Sequence, residues 1–408
     1  MSKRSIQVVL AVSVVLVLFT ALGGLQVKAS SDDGAYRQMQ VYSEVLTRIR
    51  SEYVEEPNVT VVTDGALHGL LESLDANSSY LTAAQYKQYR EHKTAGKAGI
   101  DATVSKRFGY AAVISVLPGG AGDKAGVEAG DIIEAIEGKS TREMSLAEVG
   151  TALSGEVGSR VNFTVVRPRK ALPLKITVVR EVAVVPPATD KMLAENTGYV
   201  KVDGLPKGKA QEIAARIQAE EKNGAKKIIL DLRNCSDGDV EEGAAVANLF
   251  LDHGVIAYLQ GQKYPRQTFN ADPAKLVTHL PLVVMVNRGT AGAAEIVAGA
   301  VLENARGDVL GDKTFGVGSI QKVIDIPDGS ALILSIAKYY TPGGKAIQDT
   351  AITPNVLVAD NDDDALLDED ENTGGPAEPR KKGDDEQLKR AIELLRNRSQ
   401  RAAVNPAP

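Results

Sequence analysis

With 408 residues, 43% apolar and 25% charged, and a net charge of −6, the chain has ordinary globular composition and length for two or three domains. This excludes a wholly disordered chain, a multi-span membrane protein and a collagen-like fibre, and the lack of a basic surplus argues against nucleic acid as a partner. The single cysteine, Cys235, rules out an intramolecular disulfide, and the four histidines are too scattered to suggest a metal cluster, so no metal or cofactor is implied.

The N-terminus carries Lys3 and Arg4, then 23 uncharged residues from Ser5 to Val27, then Lys28. A basic flank before so long an apolar run reads as an export signal cut near residue 29, or as an uncleaved anchor over residues 6–27. Lys3 and Arg4 stay on the cytoplasmic side, so the body is expected in the periplasm or cell envelope, with the inner membrane as a partner if the leader is uncleaved.

Residues 33–97 are expected to form a small helical region. Tyr42, Val45, Leu46, Ile49 and Tyr53 recur on one helical face; Leu67, Leu70, Leu71 and Leu74 form a second stripe; Ser78–Tyr80 would cap a third segment carrying Tyr86 and Tyr89. Over 98–182 the pattern changes to short β-rich runs at 111–116, 131–136 and 160–166, broken by glycine turns, with one helix from Ser145 to Ser154. Strands and helices alternate over 190–358, with helices at 209–222, 240–251 and 294–303 and strands at 198–202, 227–232, 282–286, near Val309 and at 331–340, which predicts an α/β layer core. The fold class is therefore α+β and multidomain. Eight of the twelve residues from Asp360 to Glu371 are acidic, so 359–408 reads as an acidic disordered tail. A short amphipathic helix within Glu386–Arg398, carrying Leu388, Ile392, Leu394 and Leu395, is expected to remain solvated.

The continuous apolar strand 281–286 runs into a turn of small residues, 287–294, and then a helix. Such a turn presents backbone N–H groups to an anion or a developing oxyanion, and many hydrolases place a serine or cysteine there. The spacing is not that of a dinucleotide-binding loop.

Two resemblances follow from the motifs. The segment Ala125–Ile133 with Ile136–Gly138 resembles the heart of a PDZ domain, whose open strand edge accepts a peptide as an added strand. The whole series is similar to the carboxy-terminal processing peptidases (tail-specific proteases): Ser73–Leu81, the PDZ-like module, Ile229–Asn234, Val286–Asn287, Ala294–Ala300, Thr314–Gly316, Gly318–Gln321, Tyr340–Gly344 and Ile352–Asn355.

That resemblance implies a serine nucleophile, a lysine base and a glutamine four residues after the lysine. The chain departs from it at the first two positions: Gly292 stands at the nucleophile position and Val317 at the base position, while Gln321 matches. Glycine offers no atom to attack a carbonyl, and valine cannot take a proton. Loss of the nucleophile alone costs another serine protease about a factor of 10⁶ in turnover, equivalent to about 8 kcal/mol. Relatives commonly continue the 231–234 motif with Asn-Pro-Gly-Gly; this chain has Cys235, Ser236, Asp237 and Gly238, placing a negative charge where oxyanion donors are expected from Gly238 and Ala293. Thr290, Ser319, Lys313, Lys322 and Cys235 are possible substitutes, Cys235 reading more simply as a packing residue. In the PDZ-like module the relatives' Gly-Gly-Ile-Gly loop, which holds a terminal carboxylate, becomes Ala98, Gly99, Ile100 and Asp101; peptide binding is expected at Gly99, Ile100, Asp101 and Ala102, with Asp101 repelling a carboxylate by about 1 kcal/mol or more unless its side chain turns away.

The expectation is an exported, inactive peptidase homologue that binds peptide or protein C-termini or pairs with an active paralogous peptidase. The alternative is an active serine-type endopeptidase-like enzyme with displaced catalytic residues.

Overall fold

The computed structural model describes residues 32–94, 98–107, 109–168, 170, 172–348, 350–359 and 385–404. The expected leader, the 6–27 stretch included, and the whole acidic run 360–371 lie outside the described residues. Among those described, no helix is long and apolar enough to cross a membrane.

The chain divides into two compact units, 1–66 and 67–408. The first contains α1 (Asp32–Glu52), and α2 (Val59–Glu72) runs across the division. Arg48 braces α1 through Glu44 and Glu52, at 2.8 and 2.6 Å. The predicted stripe exists, yet Tyr42 and Val45 are exposed.

The second unit continues with β1 (Ser79–Leu81) and α3 (Ala83–Thr94). Contrary to expectation, Ser78–Tyr80 does not simply cap a helix, because β1 is wholly buried and pairs antiparallel with a strand of the C-terminal core. Asp75 fixes that entry, accepting from the Asn77 and Ser78 amides, both at 2.8 Å, and from the Ser335 hydroxyl at 3.1 Å.

The middle region comprises β2 (Ala98–Gly99), β3 (Ala102–Arg107), β4 (Tyr110–Val116), α4 (Ala121–Ala125), β5 (Ile132–Ile136), β6 (Lys139–Ser140), α5 (Leu146–Leu153), β7 (Arg160–Val166), β8 (Leu174–Val179) and β9 (Glu181–Val182). Its sheet runs β3-β4-β5-β7-β8, leaving β3 as an edge. Alternating inward residues such as Val161, Phe163 and Val165 build a separate core with Ile133, Ile136 and Val149. Ser145 starts α5 with a capping box closed by Glu148.

The C-terminal core adds β10 (Thr189–Leu193), β11 (Thr197–Lys201), α6 (Lys209–Lys222), β12 (Lys227–Asp231), α7 (Val240–Asn248), β13 (Val255–Gln260), β14 (Gln267–Asn270), β15 (Leu282–Val286), α8 (Ala293–Glu303), β16 (Asp308–Gly311), β17 (Ser319–Asp325), β18 (Ala331–Tyr340), β19 (Val356–Leu357) and the C-terminal α9 (Glu386–Val404). One sheet has the order β10-β11-β12-β15-β16-β19 and is parallel from β11 onward; a second, antiparallel sheet is built on β18. In the parallel sheet Leu282, Val284 and Val286 face the cluster that includes α6, α7 and α8, while Val283 and Met285 face the opposite way. Burial on both faces explains why β15 is a continuous apolar run rather than an alternating one.

The opposite face is covered by α9, which corrects the solvated-helix expectation. Ala391 and Leu395 are fully buried against Ile229, Val283, Met285 and Leu310. Arg233 latches the start of the helix, donating to Asp385 at 2.7 Å and to Gln387 at 3.2 Å. A sheet buried on both sides requires a second cover, and the amphipathic tail supplies it. We expect Leu395→Ala to destabilise the protein by about 2–5 kcal/mol, read as a lower urea midpoint.

Candidate active-site cleft and peptide groove

The turn after β15 is built from its own backbone and two asparagines. The Asn287 side chain accepts from the Gly289 amide at 3.0 Å and the Asn234 amide at 2.9 Å, and donates to the Asn234 side chain at 3.0 Å. The Ala291 amide then donates to the Cys235 carbonyl at 3.0 Å. Loop 233–238 and turn 287–292 are thus stitched side by side.

Gly292 sits at the apex with φ +61° and ψ −119°, immediately before α8. A side chain there would be strained by about 1–3 kcal/mol, but it would have room, since the nearest atom to an added Cβ is the Ser236 carbonyl oxygen at 3.8 Å. Sharp strand-to-helix turns that display a nucleophile have this form. The next amide, that of Ala293, has no acceptor among the described residues, leaving a donor free at the helix start.

Val317 is brought to the same place by Glu295. One carboxylate oxygen accepts from the Gly292 amide at 2.9 Å and the Val317 amide at 2.8 Å; the other accepts from the Thr314 hydroxyl at 2.5 Å and the Gly316 amide at 2.8 Å. The nucleophile and base positions implied by the resemblance therefore lie less than two hydrogen-bond lengths apart, backbone to backbone. Glu295 is fully buried, and burial pushes its carboxyl up to about 7, while the four donors pull the other way. This residue was missed in the sequence, although a glutamate three places after the turn residue has the spacing of a capping box.

The remaining candidates are committed elsewhere. Thr290 is buried, donates to the Leu232 carbonyl at 2.8 Å and accepts from the Asn287 amide at 3.0 Å. Cys235 is fully buried in the core, and burial drives its thiol up to about 12, so it is not a reactive thiolate. Lys313 and Lys322 are exposed. The Ser319 hydroxyl donates to Gln348 at 3.1 Å, and Gln321 donates to Ser319 at 2.9 Å and Ser335 at 3.4 Å; its side chain makes no hydrogen bond to the turn.

At the expected oxyanion position, Gly238 (φ +152°) bridges to Leu205, whose carbonyl oxygen would lie 2.6 Å from an added Cβ. Neighbouring Asp237 has its carboxyl raised by desolvation in the crowded loop and then by the charge of Asp239, with the Gly238 amide acting in the opposite sense. A carboxylate beside this amide opposes a second negative charge there.

Gly99, Ile100, Asp101 and Ala102 all line a groove of 580 Å³ between β3 and α5, joined by Asn234, Ser236 and Asp237 from the core loop. Ser236 donates to Thr103 at 2.6 Å and is hydrogen-bonded to Ser115, a contact between distant segments for which the sequence held no signal.

Comparison with known proteins agrees with this architecture. Residues 196–358 match Peptidase family S41 and residues 113–167 match a PDZ domain. Over 407 residues the chain is 30% identical to a carboxy-terminal-processing protease of Bartonella bacilliformis, covering 94% of each protein. The chain belongs to the carboxy-terminal processing proteases of peptidase family S41. It is also 31% identical to carboxy-terminal processing protease CtpA of Bacillus subtilis, over 81% of this chain and 70% of that one. A solved photosystem II D1 C-terminal processing protease superposes with a TM-score of 0.64 at 25% identity, over 78% of this chain and 92% of the other. In this S41 chain the PDZ match begins within β4, so the groove's loop and edge strand lie before it.

Glu295 generates a pH prediction. Its folded-state carboxyl is raised above the ordinary value, so the folded protein holds the proton more tightly, and stability should fall as pH rises from about 4.5 to about 7. Urea titrations should show that decline, and Glu295→Gln should remove this part of it while lowering stability throughout, because its amide NH₂ faces backbone donors.

Proposed function

We propose that this protein is an exported pseudoprotease, a carboxy-terminal processing protease frame that holds extended peptide, protein tails included, without cutting it. One observation carries the reading: the buried Glu295 carboxylate joins the turn at Gly292 to the loop at Val317, and neither residue has a side chain able to attack or to take a proton. Thr290 is hydrogen-bonded on both sides and Cys235 is a buried, protonated thiol, which counts against displaced catalysis. The groove between β3 and α5 supplies the binding function, since an edge strand can accept a peptide as its neighbour. An active paralogous peptidase would be a natural partner for such a protein, which could hold a substrate tail for it.

The N-terminal basic pair and apolar run support export to the periplasm or envelope, cleaved near residue 29 or anchored by residues 6–27. Cell fractionation should recover the protein outside the cytoplasm, either soluble or in the inner-membrane fraction.

The catalytic reading is tested by incubating the protein with unstructured peptides and analysing them by mass spectrometry. The native chain should release no new termini. Gly292→Ser combined with Val317→Lys should gain measurable cleavage, because the turn has room for the hydroxymethyl group. Hydrolysis by the native chain that disappears in Cys235→Ser or Thr290→Val would overturn the proposal.

A further inference from the structure

We infer that the groove between β3 and α5 takes an internal or blocked peptide segment presenting a cationic group to Asp101, and discriminates against a free terminal carboxylate. The inference rests on the peptide-binding reading above and specifies its ligand.

The end of the groove is the turn Gly99–Ala102. The Ile100 and Asp101 amides have no acceptor among the described residues, and Asp101 has a left-handed φ of +53°. Successive free N–H groups in such a turn form an anion-binding concavity. The same turn carries the Asp101 carboxylate, which lines the groove but is hydrogen-bonded to the start of α4 rather than to these amides. Asp101 Oδ2 accepts from the Ala121 amide at 2.8 Å, whereas Oδ1 is buried and has no hydrogen-bond partner. The side chain therefore does not turn away into solvent; it stays at the groove, one oxygen satisfied and one not. An orphan buried carboxylate oxygen requires a donor, and a ligand carboxylate has none to give.

Two further acids line the same groove, Asp203 and Asp237, both from the core. Lys201 lies 3.5 Å from Asp203, but it is shared with Asp231 at 3.7 Å and with the Arg233 carbonyl, which leaves little of its charge to offset the groove. A terminal carboxylate entering here meets three acidic side chains in the lining, with His92 as its one basic neighbour there among the described residues. A lysine or arginine side chain, or an amide NH₂, meets acceptors. The floor beneath, formed by Ile100, Val104, Val149 and Leu153, suits the apolar side chains of an extended segment.

The test uses a pool of unstructured peptides of varied sequence, each ending in lysine, made as C-terminal amides and as free acids, with a third set ending in norleucine amide. Equilibrium dialysis against the full protein, read by mass spectrometry, gives the relative retention of each form. The lysine amides should be retained about tenfold better than the corresponding acids, a difference of roughly 1.4 kcal/mol, with the norleucine amides between them. Asp101→Asn should bring lysine amide and acid to near parity, because asparagine tolerates the left-handed backbone and can still accept from Ala121. Equal or better retention of the free acids by the native protein would overturn the inference while leaving peptide binding intact, as would an amide preference that persists in Asp101→Asn. If no peptide form is retained, peptide binding itself fails, and this inference with it.

Discussion

A buried carboxyl group organises the cleft. The Glu295 side chain is sealed from water and would be costly there without partners. Four donors from two separate segments meet it, the Gly292 amide on the turn and Thr314, Gly316 and Val317 on the following loop. Removing any of them leaves a desolvated oxygen, so the segments are held together by the penalty of separating them as much as by the bonds. This geometry does not depend on the identity of the two residues whose backbones it fixes. The hydrogen bonds run to backbone amides at 292 and 317, so the cleft's architecture holds with glycine and valine at those positions.

The same indifference marks the groove. Its opposing helix lies within the PDZ match, whereas its edge strand and the loop at its end precede it. Asp101 occupies a backbone conformation that glycine adopts freely, and its Cβ approaches so closely that a Cβ at Gly120 would lie 2.6 Å away. The aspartate is therefore accommodated by its surroundings, with the Ala121 amide satisfying one oxygen. The PDZ domain and the protease core also meet here, through the hydroxyls of Ser236, Thr103 and Ser115. A ligand in the groove would touch both.

How much of this was legible in the sequence depended on the range of the interaction involved. Helix α6 and strand β18 were read from periodicity with their observed limits, Lys209–Lys222 and Ala331–Tyr340, because each carries its own hydrophobic pattern. The capped helix α5 was bounded by its serines for the same local reason. Strands β3 and β17 have mixed polarity without strong alternation, and β13 is a short apolar run with no period of its own, so all three are specified by their sheet neighbours rather than by local pattern. The tail helix was read as a helix but not as a cover, because amphipathicity shows that a face needs a partner without saying which one. Within the cleft, Gly292 and Val317 are plain in the sequence as residue identities, and their roles are what the family resemblance implies. The carboxylate that brings their positions together, and the commitment of Thr290 and Cys235 elsewhere, depended on contacts far apart in sequence.

Strand β1 makes the region before the PDZ domain part of the core it precedes. Ser79, Tyr80 and Leu81 lie along Ile333, Leu332 and Ala331, closing one flank of β18. A fragment beginning at the PDZ domain would bare that flank, leaving a row of main-chain donors and acceptors over a strand rich in leucine and isoleucine. The autonomous piece of this molecule is accordingly larger than either matched domain, and a shortened version would tend to satisfy its open border by stitching onto another copy of itself.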